Sequence, residues 1–185
     1  MPTYYTGKGD DGTTGWLGAG RIPKSGPRPE AYGTVDEASA ALGVARSAAG
    51  TQIVAEVVIQ VQRDLYHLMA EVASSKEQSA QFRAIDGSRV RWLEDQIEAF
   101  GRQIELPSEF VLPGDSPAGA AFDLARTVVR RAERLIARLH TEGELENPDL
   151  LRYLNRLSSL CFVLELVENR QAGVERPRLA KANDS

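Results

Sequence analysis

The sequence has one cysteine and no long apolar run. Cys161 cannot form a disulfide within the chain, and its position on an apolar helical face predicts a small core residue. No apolar stretch approaches the roughly 18 residues that cross a bilayer, and Met1 is followed by polar, Gly-rich sequence instead of a signal-peptide core. We therefore predict a reducing, cytoplasmic location and no membrane association.

Positive charge is also scarce, because 26 acidic residues outnumber 22 basic ones and give a net charge of −4. Overall charge therefore attracts neither nucleic acid nor an anionic membrane, and any anion site must come from a local cluster of Lys and Arg. Aromatic residues make up only 6% of the 185 residues, whereas Ala and Leu are frequent. This composition predicts one mostly helical domain, large enough to bury a core.

Five stretches repeat apolar residues at helical spacing and predict an all-α, antiparallel five-helix bundle with ferritin-like, up-down packing. The predicted helices span residues 34–50, 51–74, 88–100, 118–141 and 149–171. A single domain, 1–185, is divided into a Gly-rich leader (1–33), the helices (34–172) and a flexible tail (173–185).

The first helix is predicted to begin at a capping box. Thr34 would be the N-cap and Glu37 would reach back to it. Asp36 would then lie in the first turn, where the helix dipole favours a carboxylate. That dipole interaction alone is sufficient to explain Asp36.

The leader holds seven of the sixteen glycines within its first 26 residues. Its segment 8–15, Lys-Gly-Asp-Asp-Gly-Thr-Thr-Gly, offers unobstructed backbone N–H groups, two hydroxyls and a lysine, which suit a polyphosphate. The order of residues is not that of a Walker A loop. A merely flexible Gly-rich terminus is the alternative.

The predicted fourth helix carries a charged stripe opposite its apolar face. Arg126, Arg130 and Arg134 alternate with Asp123 and Glu133 at spacings of three and four residues. Carboxylates at these spacings can hold guanidinium groups in fixed rotamers, which would form an anion clamp. A solvated face with ordinary ion pairs explains the same pattern.

His67 has Asp64 three residues before it and Glu71 four residues after it, which resembles half of a carboxylate–histidine metal site. The only other histidine, His140, lies near a helix end. We therefore predict a surface histidine and no metal site formed by protein side chains.

Five motifs, taken in order, resemble the PduO-type ATP:cob(I)alamin adenosyltransferases. They are residues 10–15 (DDGTTG), 30–37 with Arg28 (EAYGTVDE), 110–114 (FVLPG), 125–134 (ARTVVRRAER) and 153–158 (YLNRLS). The resemblance covers about residues 4 to 170. It implies a homotrimer of five-helix bundles that binds ATP between subunits, with cob(I)alamin attacking the 5′ carbon of the ribose and triphosphate leaving.

The resemblance also implies roles for individual residues. Asp36 would pair with Arg126 across the subunit boundary, Arg130 would bind the triphosphate, and Phe110 would keep a lower axial ligand off cobalt. Mg²⁺ would be bound by the phosphates, with Glu133 nearby. The remaining nucleotide contacts implied are Thr6, Lys8, Gly9, Thr14, Gly15, Lys24, Arg28, Arg134 and Asn155.

The chain departs from the family pattern mainly on the corrin side. Asp115 replaces a usual Gly, Asp123 a His, Ser159 an Asp, Leu166 an Arg, Ser39 an Asn and Lys8 a Thr. The alternative to a working enzyme is a catalytically impaired paralogue that serves as an ATP or corrinoid sensor or escort. Nucleic-acid binding through the arginine helix is disfavoured by the acidic net charge. A corrinoid reductase or an adenosylcobalamin-dependent enzyme is the protein partner that the resemblance implies.

Overall fold

The computed structural model describes residues 4–181. This part contains five α-helices, one 3₁₀-helix and a two-stranded sheet. Their bounds are β1 Thr13–Gly15, β2 Arg21–Pro23, α1 Pro27–Ala48, α2 Gln52–Val72, a 3₁₀-helix Ser79–Phe82, α3 Gly87–Gly101, α4 Pro117–Thr141 and α5 Pro148–Gln171. The predicted five-helix bundle is confirmed, and α2 to α5 begin and end within two residues of the predicted bounds.

Helix α4 lies between α1 and α5, while α2 packs on α1 and α3 packs on α5. Polar contacts give the direction of the helices: Arg28 at the start of α1 bonds Glu144 just after α4, and Gly50 before α2 bonds Glu168 near the end of α5. Successive helices are therefore antiparallel. One end of the bundle holds the leader, and the other holds the connection between α3 and α4.

The core follows the apolar faces predicted from the sequence. On α4, Ala125, Val129, Ala132, Ile136 and Leu139 are each at most 1% exposed. Cys161 is fully buried, as predicted, and burial raises the pKa of its thiol to about 12. A thiol that stays protonated at neutral pH is an inert packing residue.

The start of α1 was predicted incorrectly. The helix begins at Pro27, with Gly26 as N-cap, not at Thr34. Proline is favourable in a first turn because its fixed φ suits the helix and its missing N–H has no partner there. Thr34 is buried in the helix, where its hydroxyl donates to the carbonyl of Glu30 at 2.8 Å, and Asp36 is exposed beyond the first turn.

The connection before α4 carries the apolar run Phe110-Val111-Leu112, yet Phe110 is 86% exposed. The connection is held by a segment that was predicted to be a free tail, because Val111 forms an antiparallel bridge with Leu179. Sequence periodicity did not predict this pairing, since the two paired segments are short and lie far apart in the chain. Residues 182–185 of the predicted tail lie outside the described residues.

Within residues 4–181, no helix is long and apolar enough to cross a membrane. His67 is exposed and makes an edge-on contact with the ring of Tyr66, as expected for a surface histidine. The described residues also contain no group of three His, Cys, Asp or Glu side chains arranged to hold a metal ion.

Candidate active site

A cavity of about 600 Å³ opens beside the N-terminal half of α4, at the bundle end that carries Phe110. It brings together Phe110, Arg126 and Arg130, which the sequence placed in one site, and also the unusual residues Asp123 and Ser159. The rest of its lining is Ser108, Glu109, Val111, Ser158, Phe162, Glu165 and Lys181. The cavity therefore combines aromatic and cationic groups, which suits a large ligand with apolar and anionic parts.

The arginines of α4 differ in their partners. The Nε of Arg126 donates to Oδ1 of Asp123 at 2.8 Å, so the two residues form an i,i+3 pair that fixes Arg126 at the cavity wall. The guanidinium of Arg130 is exposed and has no hydrogen bond or ion pair to residues 4–181. Arg134 bonds the backbone carbonyl of Arg130 at 3.0 Å. Arg130 is therefore the cation that a ligand in the cavity meets unneutralised.

Glu133 does not hold an arginine, contrary to the clamp predicted from its spacing. Its Oε1 accepts from the Nδ2 of Asn155 at 2.8 Å, while Arg156 donates to the Oδ1 of the same Asn155 at 2.9 Å. These bonds fix the amide of Asn155 between α4 and α5. Glu133 therefore fixes the position of Asn155 beside the arginines of α4.

Glu165 was missed by the sequence analysis. It lines the cavity from α5 although it is only 1% exposed, and its Oε1 has no hydrogen-bond partner in the described structure. Burial is the main cause that raises the pKa of its carboxyl, the charges of Asp123 and Asp115 add to the rise and Arg126 opposes it, so that the pKa is about 7. The sequence did contain a signal for this residue: Glu165 follows Cys161 by four residues, which places a carboxyl group on the otherwise apolar face of α5.

The leader folds into a hairpin whose strands pair Thr14 with Ile22. Arg21, also missed by the sequence analysis, organises it by donating to the carbonyls of Lys8 and Thr13 at 2.7 and 2.9 Å. Lys24 donates to the carbonyl of Gly9 at 2.8 Å. A Cβ on Gly9 would lie 2.9 Å from the Nζ of Lys24, so a side chain at this position would push the Lys24 ammonium group aside.

These contacts bring the predicted phosphate-binding residues of the leader into one compact unit. The set is Thr6, Lys8, Gly9, Thr14, Gly15 and Lys24. Asp11 accepts from the hydroxyl and the N–H of Thr13, and these hydrogen bonds lower the pKa of its carboxyl. The leader is thus an ordered loop, which favours the polyphosphate interpretation over a flexible terminus.

Arg28 attaches the leader to the bundle. Its guanidinium donates to the carbonyls of Val72 and Ser74 at 2.9 Å each, and to Glu144. The side chain also lies 5.8 Å from the ring centroid of Trp16. Arg28 satisfies carbonyls at the end of α2 that the helix leaves unpaired, so the phosphate contact implied for it stays a prediction.

We expect Arg28→Met to lower the free energy of unfolding by about 2 kcal/mol, because buried carbonyls and Glu144 lose a charged donor. Denaturant unfolding followed by circular dichroism measures the change. Arg21→Met is the matched control: this exposed arginine bonds only within the leader, so its loss should leave bundle stability within about 0.5 kcal/mol. Equal effects of the two substitutions would contradict the role given to Arg28.

Within one chain the leader and the cavity do not meet. The leader packs near Leu139 and Glu142 at the C-terminal end of α4, whereas the cavity lies along its N-terminal half. Twelve residues separate Arg130 from Glu142, which corresponds to roughly 18 Å along a helix. The pairing of Asp36 with Arg126 across a subunit boundary stays a prediction as well, since Arg126 is paired with Asp123 inside the chain.

The sequence profile described as "Cobalamin adenosyltransferase" matches residues 4–168. The chain belongs to this family. A corrinoid adenosyltransferase from Mycobacterium bovis is 39% identical over 181 residues, covering 94% of this chain and 92% of that protein. The corrinoid adenosyltransferase PduO of Salmonella typhimurium is 38% identical over 169 residues.

The alignment with the Salmonella protein covers 91% of this chain but only 50% of that relative, so the chain spans about half its length. Among solved structures, a variant of the PduO-type ATP:corrinoid adenosyltransferase from Lactobacillus reuteri, complexed with cobalamin and ATP, superposes with a TM-score of 0.90. It is 30% identical, and the match covers 97% of each chain. The family's fold is thus shared over almost the whole chain.

Proposed function

We propose that this protein transfers the 5′-deoxyadenosyl group of ATP to cob(I)alamin, giving adenosylcobalamin and triphosphate. The observation that carries the proposal is the cavity that is lined both by an exposed phenyl ring, Phe110, and by an unneutralised guanidinium, Arg130. A corrinoid needs the first kind of contact and a polyphosphate the second. Family membership, and the cobalamin and ATP bound by the Lactobacillus reuteri relative, support the same assignment.

In this reaction the cobalt lone pair forms a bond to the 5′ carbon, and the bond from that carbon to the phosphate oxygen breaks. The leaving triphosphate takes the electron pair and gains negative charge. A cation already in place lowers the energy of that transition state, which is the role we give to Arg130 and Arg134. Asp123 orients Arg126, and Glu133 orients Asn155 toward the nucleotide. Phe110 would occupy the lower face of the corrin and exclude an axial ligand.

The site is proposed to form between copies of the chain. Because the leader lies about 18 Å from Arg130 along its own α4, the leader of a neighbouring copy would supply the phosphate-binding residues to this cavity. Asp36 is exposed on α1 and available to such a neighbour. We propose the homotrimer that the family resemblance implies, and equilibrium sedimentation tests it.

Magnesium would enter with the nucleotide, because the described residues offer no metal cluster of their own. Of the two carboxylates beside the arginines of α4, Asp123 is paired with Arg126 and Glu133 is bonded to Asn155. Glu133 would therefore orient the magnesium–nucleotide complex and would not itself hold the ion. We place the reaction in the cytoplasm, with a corrinoid reductase or an adenosylcobalamin-dependent enzyme as protein partner.

The test is to mix the purified protein with ATP, Mg²⁺ and chemically reduced cob(I)alamin, and to follow the absorption change when the cobalt–carbon bond forms. A calorimetric titration of ATP runs beside it. Formation of adenosylcobalamin and triphosphate in equal amounts supports the proposal. ATP binding without product would favour the sensor or escort.

A further inference from the structure

The C-terminal segment 174–181, which we call the strap, lies across the connection that carries Phe110. The N–H of Ala180 donates to the carbonyl of Phe110 at 2.7 Å, and the N–H of Leu112 donates to the carbonyl of Arg178 at 2.7 Å. These two bonds flank the bridge between Val111 and Leu179. The backbone from the carbonyl of Phe110 to the N–H of Leu112 is thereby fixed.

Asp115 fastens the strap at a second point. Its Oδ2 accepts from the N–H of Arg178 at 2.9 Å, and its Oδ1 lies 3.5 Å from the Nε of the same residue. The carboxyl side chain is 5% exposed, so these contacts compensate its charge. Asp115 stands where the family resemblance expects a glycine, which has no side chain with which to make such a contact.

The strap also forms part of the cavity. Lys181 lines it beside Phe110 and lies 3.6 Å from Oε2 of Glu109, another lining residue. At its other end the strap leaves α5 through a bond from the N–H of Val174 to the carbonyl of Asn169 at 2.9 Å. It therefore joins the end of the bundle to the cavity mouth.

We propose that Asp115 is a positioning residue: by latching Arg178 it holds the strap against the connection and so fixes Phe110 over the cavity for the corrinoid. The expected effect on corrinoid binding rests on the proposed function. The contact between Asp115 and Arg178, which we call the latch, does not depend on any ligand. A short two-bond pairing is marginal alone. The charge-assisted bond between Asp115 and the N–H of Arg178 adds a third attachment beside this pairing and so stabilises it.

The decisive variant is Asp115→Gly, with Asp115→Asn as the conservative partner that keeps an oxygen for the N–H of Arg178. Hydrogen exchange on the free protein is measured first. For Asp115→Gly we expect exchange of the Leu112 and Ala180 amides to rise about ten-fold, as loss of a charge-assisted hydrogen bond predicts. Asp115→Asn should stay within about three-fold of the parent. Unchanged exchange in Asp115→Gly would overturn the latch.

The second measurement is kinetic. We expect Asp115→Gly to raise KM for cob(I)alamin about ten-fold and to leave KM for ATP unchanged. With cob(II)alamin and ATP, the fraction of corrinoid lacking a lower axial ligand should fall, as read from absorption and electron paramagnetic resonance spectra. Arg176→Ala, an exposed substitution in the same strap, is the control and should behave as the parent.

A double-mutant cycle tests whether Asp115 acts through the phenyl ring. If it does, Asp115→Gly changes the corrinoid spectrum of the parent but adds nothing in a Phe110→Ala background. Full additivity would overturn the positioning role, as would faster exchange with unaltered corrinoid binding. A parent protein that forms no adenosylcobalamin would defeat the proposed function, and hydrogen exchange would still decide the latch.

Discussion

Arg130→Ala is expected to lower kcat by about 10²- to 10³-fold, the typical effect of removing one preorganised group that stabilises developing negative charge. The guanidinium lines the cavity, is exposed, and has no partner among residues 4–181, so its charge is available to the leaving triphosphate. The fold should survive, because no described contact depends on that side chain. Steady-state kinetics with reduced cob(I)alamin and thermal unfolding measure the two effects.

Two further variants show whether position and shape matter as well as charge. Arg138→Ala is the matched control: it lies two turns further along the same helix, is exposed, and pairs with Glu142, so kcat should stay within about two-fold of the parent. Arg130→Lys keeps a charge but loses the planar fork, and an intermediate kcat is expected. An active Arg130→Ala enzyme would refute the assignment of this arginine to the triphosphate.

The helices were predictable because their apolar spacing is regular. Helix α4 shows this most clearly, since its buried residues Ala125, Val129, Ala132, Ile136 and Leu139 follow one another at spacings of three and four residues. The start of α1 was not predictable in this way, because the sequence contains two possible helix N-termini. The capping box at Thr34 competed with the prolines at 27 and 29, and the side-chain oxygen of Thr34 bonds Glu30 instead of capping a helix.

The cavity was only partly predictable. Arg126 and Arg130 share a face by helical periodicity, but the pairing of the strap with residues 110–112 spans almost 70 residues and leaves no periodic signal. Arg28 was placed at a phosphate by resemblance, whereas its bonds to helix-end carbonyls depend on how α1 meets α2. Long-range polar contacts of this kind are set by tertiary packing, which composition and spacing do not encode.

Glu165 links the cavity to the pH dependence of stability. Its folded-state pKa, about 7, lies above the ordinary value of 4.5, because burial disfavours the charged carboxylate. The folded protein therefore holds this proton where the unfolded chain has released it. The resulting stabilisation of the protonated form is complete below about pH 4.5 and is lost as pH rises through about 7.

Glu165→Gln should remove this dependence, because glutamine resembles the protonated carboxyl and never ionises. We expect the free energy of unfolding of the variant to match that of the parent near pH 4.5 and to exceed it by about 3 kcal/mol above pH 8, which corresponds to a gain in Tm of about 6–12 °C. Thermal unfolding at pH 4.5, 6, 7 and 8.5 measures the difference. Glu94→Gln, an exchange at an exposed carboxylate on α3, is the control and should show no such divergence. A parent and a Glu165→Gln variant with parallel profiles would show that the Glu165 carboxyl ionises in the folded protein as it does in water.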